Sequence, residues 1–173
     1  MLNREEIERL IKEKGLVTDY INLDVQLTPN GFDLTVEKVS EFDTAGALDF
    51  SNKERKVPEG REIPPQKDNP QDKFGWWNLK KGAYKIRTNE TISLPKDLIA
   101  VSFPRTSLLR MGGFTQNGVW DAGFSGKGEF ILLVENPNGI RLKQNARINQ
   151  IIFTKINETE KGYDGIYSEG EKS

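Results

Sequence analysis

Pro104-Arg105-Thr106-Ser107-Leu108-Leu109-Arg110 gathers two guanidinium groups and two hydroxyls in one short stretch, just ahead of Gly112-Gly113. Proline suits the first turn of a helix, so this stretch predicts a helix with Leu108, Leu109 and Met111 turned inward. The positive end of such a helix would offer free backbone amides beside Arg105, Thr106 and Ser107, which are the parts of a phosphate site. Hydroxyls at a helix start also serve as plain caps. Asp121 lies among Gly118, Gly123 and Gly126, where backbone can come close to a ligand. Taken alone it reads first as an aspartate that stabilises its own turn. Asp33 reads as a site carboxylate or as a strand-edge one, and Gln150 as a ligand-facing amide or a strand polar group satisfied by backbone.

Composition narrows the chemistry these residues can do. The 173 residues contain no histidine and no cysteine. Zinc sites of the usual kinds, histidine-based triads, thiol nucleophiles and disulfides are therefore excluded. Catalysis is left to carboxylates, hydroxyls, Lys and Arg, backbone amides and a hard cation such as Mg²⁺. The formal net charge is −1, with acids and bases mixed along the chain. That argues against broad nucleic-acid binding, which needs a basic face, yet leaves room for a local anion site. No apolar run approaches the roughly 20 residues of a membrane span, and the charged N-terminus lacks a secretory core. A single cytoplasmic domain over residues 1–173 is expected, without nucleic-acid or membrane partners.

The elements that must position these residues are mostly strands. Asn3 with Glu6 three residues on makes a capping box ahead of Ile7, Leu10 and Ile11, and Gly15 is placed to end that short N-terminal helix. Beyond it, Phe32, Leu34 and Val36 alternate, as do Tyr84 and Ile86, then Ile92 and Leu94. Residues 98–103, 130–134 and 148–156 are denser apolar runs that read as strands buried on both sides. Asn-Gly pairs at 30–31, 117–118 and 138–139 favour tight turns. The pattern is all-β, a sandwich, jelly roll or barrel. Residues 51–75 lack apolar side chains to pack and read as a solvated loop or insertion, with Trp76-Trp77 covering a core edge or a subunit contact. Residues 158–173 read as a polar arm, mobile by itself.

Five segments in order carry a resemblance to the dUTPase and dCTP deaminase superfamily. Gly31-Phe32-Asp33-Leu34 resembles the first motif, G-Y/I-D-L, and Pro104 to Gly112 resembles the phosphate motif P-R-S-S-L-x-R-x-G. Gly118 to Gly126 resembles the third motif, G-x-x-D-x-G-Y/F/W-x-G, and Ala146 to Gln150 resembles the fourth, D/M-R-I-A/G-Q. Gly162 to Tyr167 resembles the closing arm of the deaminase-like branch, and the lead-in from Lys81-Gly82 to Leu94-Pro95 also matches. The likeness covers about residues 29–170, and it is strongest toward archaeal dUTPases. Thr106 stands where serine is usual, Asn149 where a small residue is usual, and Asn145 where a turn glycine is common.

The resemblance implies a distorted jelly-roll (β-clip) subunit, a homotrimer with sites at subunit interfaces, and Mg²⁺-dependent hydrolysis of dUTP to dUMP and pyrophosphate. It implies Asp121 as the base that activates water, and Asp33 as an outer-shell partner that reaches water or the magnesium. Arg105, Thr106, Ser107 and Gln150 would hold phosphate oxygens. Gly118 and Trp120 would lie against the nucleoside, and Tyr163 and Tyr167 would order the arm over it. Deamination of dCTP, alone or with hydrolysis, is the rival activity, and a non-catalytic nucleotide-binding module is a third reading. The deaminases place a glutamate ten residues after the third motif's aspartate, which here is Ile131. Anchoring on Asn136 instead gives Leu133, and neither is acidic.

Overall fold

The computed structural model describes residues 1–168. Helix α1 (Arg4–Lys14) starts at Asn3, whose side chain accepts from the Glu6 amide while Glu6 returns a bond to the Asn3 amide. Gly15 closes it in the left-handed region, at φ 64°. Ile7 and Ile11 carry its buried stripe. Strand β1 (Val17–Thr18) leads to a one-turn helix, α2 (Leu23–Gln26), and then to a hairpin of β2 (Leu27–Thr28) with β3 (Gly31–Glu41). The remaining strands are β4 (Arg61–Glu62), β5 (Trp76–Leu79), β6 (Gly82–Ser93), β7 (Leu98–Pro104), β8 (Gly113–Gln116), β9 (Ser125–Val134), β10 (Ile140–Lys143) and β11 (Arg147–Lys155). A single-turn helix, α3 (Thr106–Arg110), sits between β7 and β8.

The main sheet runs β7-β11-β3-β6-β9-β8, and its two end strands approach each other, so the all-β fold is nearly closed into a barrel. Strands β5 and β10 form a separate ribbon. β3 lies inside the sheet, between β11 and β6, and is buried on both faces from Gly31 to Val36. Its Phe32 and Leu34 enter one apolar core beneath α1, and Val36 and Val39 enter a second built around Trp77 and Leu132. Asp33 and Thr35 point the other way and are also buried, so both need internal partners. Asp33 is thus a buried carboxylate with internal partners and not an exposed one at a strand edge.

Several further expectations change in the fold. Strands β7, β9 and β11 alternate buried with half-exposed residues instead of being covered on both sides, because only one face of each meets the core. Pro104 ends β7 rather than entering the helix, which starts two residues later with Arg105 as its cap residue. A helix of five residues turns only one apolar side chain inward, Leu108; Leu109 and Met111 are exposed. Asn117-Gly118 forms no tight turn and runs as an irregular segment from β8 to Trp120. The stretch 51–75 is tied down at its centre: β4 pairs with β3, and Ile63 packs on the second core and accepts from the indole N–H of Trp77 at 2.7 Å. Trp77 is buried in that core, while Trp76 stacks under Arg141 at 4.6 Å.

Candidate active site

One cluster forms where β3, β7 and β11 run side by side. Gln150 on β11 is in register with Asp33 on one side and Phe103 on the other. The Asp33 carboxylate is almost wholly buried, and its Oδ2 meets Arg105 Nε and Arg147 Nη1, each at 3.1 Å. Burial raises the Asp33 carboxyl above its ordinary range, opposed by the charges of Arg105 and Arg147. Arg147 reaches it because an extra residue in β11, at the register shift between Arg147 and Asn149, re-aims the chain. The same guanidinium donates to Val25 O of α2 at 2.9 Å. Nearby, Gln150 donates to Thr28 Oγ1 at 2.6 Å. Thr106 and Ser107 are exposed, and no side chain caps α3, so both hydroxyls are spared that role. The first amides of α3 lack intrahelical partners, as at any helix start.

Thr35, the other inward polar residue of β3, meets Glu90, which is fully buried. Glu90 accepts from the Thr35 amide at 2.9 Å, the Thr35 hydroxyl at 2.5 Å and Gln26 Nε2 at 2.7 Å. Burial raises its carboxyl too, against those three bonds. Gln26 also donates to Asp33 O, so this network braces the strand behind the Asp33 cluster.

A second feature lies elsewhere on the subunit. A groove of about 570 Å³ is lined by Gly118, Trp120, Phe124, Ile131, Tyr163 and Tyr167, among others. Gly118 has open space where a Cβ would stand. Trp120 is a core residue whose ring backs the groove, and its backbone bridges to Ala100. The turn Asp121-Ala122-Gly123-Phe124 closes with Phe124 N–H donating to Asp121 O at 3.1 Å. Gly123 needs its positive φ of 83°, and a side chain there would strike Gly162 at 2.9 Å. Asp121 is exposed on this turn.

The arm expected to be mobile carries tertiary bonds through Ser168. Tyr163 N–H donates to Ala122 O at 2.8 Å, and its ring packs edge-on against Phe124, with centroids 5.6 Å apart. Ser168 Oγ donates to Ser125 O at 3.0 Å. Tyr167 is half-exposed beneath Arg55. Residues 169–173 of the arm lie outside the described residues.

The sequence-derived residues thus fall into two sets. Asp33, Arg105 and Gln150 are neighbours, with Thr106 and Ser107 adjoining in chain. Gly118, Trp120, Asp121, Tyr163 and Tyr167 form the other set. Trp120 sits beside Ala100, whereas Arg105 lies beyond the far end of β7, five residues or roughly 16 Å along the strand. The sequence alone does not mark Arg147 or Asn149 as site residues. Arg147's partner depends on the bulge, and Asn149 stands out only where a small residue is usual.

A model of the dCTP deaminase-like family matches residues 1–156. The chain belongs to this family. A probable deoxyuridine 5'-triphosphate nucleotidohydrolase of Methanosarcina mazei is 41% identical, over 96% of this chain and 95% of the relative. One from Archaeoglobus fulgidus is 38% identical, with the same coverage of both chains. Among solved structures, the 2'-deoxycytidine 5'-triphosphate deaminase of Agrobacterium tumefaciens shares the fold, with a TM-score of 0.63 at 21% identity. The match covers 90% of this chain and 47% of that one, so this chain spans about half the length of that deaminase.

Within this dCTP deaminase-like chain, no group of three or more acidic side chains stands ready to hold a metal among the described residues. Asp33 gives one oxygen to two arginines, so the set does not fit a divalent cation held directly by the protein. No helix among the described residues is long and apolar enough to cross a membrane.

Proposed function

We propose that this protein hydrolyses dUTP to dUMP and pyrophosphate. The full-length archaeal relatives carry that activity in their names. The groove wall supports hydrolysis over deamination at the position that the deaminases' spacing marks, although Glu129 lines the same groove. Ile131, ten residues after Asp121, lines it with an apolar side chain where the deaminases need a proton-transferring acid. Glu129, two residues back on the same face, is drawn toward Lys85 at 3.9 Å.

In this reading a water oxygen bonds to the α-phosphorus, the bond from that phosphorus to the bridging oxygen breaks, and pyrophosphate leaves. Asp121 accepts the water's proton. Arg105, Thr106, Ser107 and Gln150 hold the phosphate oxygens, and Gly118 and Trp120 flank the nucleoside. A Mg²⁺ carried by the triphosphate would supply neutralisation of its charge, and Asp33 would reach such an ion only through water. Incubation with dUTP and with dCTP plus Mg²⁺, followed by chromatography, tests the reaction. The expected result is dUMP from dUTP and unchanged dCTP; conversion of dCTP to dUTP or dUMP would establish the rival activity.

The active enzyme is proposed to be a homotrimer in which Asp121 of one subunit meets the Asp33–Arg105 cluster of another. Two observations support this: the separation of the two sets within one chain, and exposed Phe103, Leu109, Met111 and Phe114 on packed neighbouring elements β7, α3 and β8. Light scattering at micromolar concentration is expected to give three times the 19.6 kDa chain mass; a fully active monomer would refute the assembly.

The arm completes the groove through Tyr163 and Tyr167. Removal of residues from Glu158 onward is expected to leave the fold intact and to lower dUTP turnover strongly, because the arm excludes water and covers the nucleotide. Unchanged turnover in the truncated chain would remove the arm from the site.

A further inference from the structure

We propose that Asn149 is a positioning residue that fixes the Asn117-Gly118 corner of the nucleoside groove. The proposal rests on the hydrolytic reading above for the identity of the ligand. Asn149 is fully buried on β11, one residue before Gln150. Its Oδ1 accepts from Thr115 Oγ1 at 2.6 Å, and its Nδ2 donates to Ser102 Oγ at 3.0 Å and Asn117 Oδ1 at 3.1 Å. Asn117 Nδ2 completes the cluster by donating to Ser102 O at 3.0 Å. Four side chains from β7, β8, β11 and the following segment therefore satisfy one another in a buried setting.

The segment they hold has little else to hold it. β8 ends at Gln116, and the next backbone pairing is the bridge at Trp120. Among the described residues, no backbone–backbone hydrogen bond fixes Asn117, Gly118 or Val119. Gly118 packs against nothing on its side-chain face, and Val119 is exposed. The Asn117 side chain is thus the tie between this corner and the body, and Asn149 is the buried half of that tie. A small residue at position 149, as in the family motif, removes all three bonds at once and leaves the Thr115 hydroxyl, the Ser102 hydroxyl and Asn117 Oδ1 without this partner. The tether consequently belongs to chains carrying this asparagine. It acts on the nucleoside end of the ligand and not on the phosphate end.

Two probes separate those ends: dUMP for the nucleoside corner and inorganic tripolyphosphate for the phosphate cluster, each measured by titration. Asn149→Ala is expected to weaken dUMP binding about tenfold while tripolyphosphate affinity stays within about twofold. Asn117→Ala, a change at a half-buried position, is expected to give the same pattern, and the double variant no more than either single change. Should Asn149→Ala not fold, Asn117→Ala carries the test alone. Unchanged dUMP affinity in a folded variant, equal weakening of both probes, or additive effects in the double variant would each overturn the tether. A wild-type protein that binds dUMP without hydrolysing dUTP would overturn only the hydrolytic reading, because the titrations do not depend on turnover.

Discussion

Asp121→Asn is expected to bind dUTP at close to the wild-type level while its turnover falls by roughly 10²–10⁴-fold, the loss typical of removing a general base. The substitution keeps the size of the side chain and its ability to accept a hydrogen bond, and removes the carboxylate proposed to take the water's proton. The fold should tolerate it. Asp121 is exposed, and its turn closes through the backbone carbonyl, accepting from Phe124, while Gly123 supplies the left-handed residue. Melting temperature should therefore stay near that of the wild type. Normal hydrolysis by Asp121→Asn, measured by pyrophosphate release, would transfer the search for the base to Asp33 and Glu129.

Arg105→Ala should fail differently, with weaker nucleotide binding and slower turnover together, because in the proposed site the guanidinium would meet phosphate charge in both ground and transition states. A combined loss on the order of 10²–10³-fold in kcat/KM is expected, from one charged partner to the phosphates. A structural cost accompanies it. Arg105 is one of two cations on the buried Asp33 carboxylate. Its removal is expected to cost about 1–2 kcal/mol, less than the usual figure for breaking a buried pair because Arg147 remains. Full kcat/KM in Arg105→Ala would take the arginine out of the phosphate cluster.

How much of this was legible in the sequence follows from the range of the interactions. The capping box at Asn3 and Glu6 and the glycine at position 15 act within a few residues, so α1 could be read with its ends. The alternation in Phe32, Leu34 and Val36 showed one face of β3. It could not show that the opposite face is buried too, since that depends on Gln26, Glu90, Arg105 and Arg147 closing over Asp33 and Thr35. Arg147 hides for a similar reason, because its aim at Asp33 comes from a bulge that pairing creates. Leu109 and Met111 read as inward residues only if α3 continues; at five residues it has room to bury Leu108 alone. Asn149 stands out in the sequence only as a departure from a small residue, and the sequence does not show that its side chain turns into the protein and bonds to Asn117. The 51–75 stretch read as unpacked because it is polar, yet Ile63 and a backbone carbonyl suffice to fasten its centre to Trp77.

Central to the account is a site shared between subunits, with Arg105 from one chain and Asp121 from another. Mixing the two impaired variants, Asp121→Asn and Arg105→Ala, under conditions that exchange subunits tests this directly. Each variant retains the group that the other lacks. In randomly mixed trimers from equal amounts, about a quarter of the sites combine an intact Arg105 with an intact Asp121 across an interface. Recovery of dUTP hydrolysis toward that fraction of the wild-type rate is the expected result. Activity that stays at the average of the two separate variants, in mixtures shown to contain both chains in one trimer, would place the site within a single chain and contradict the account.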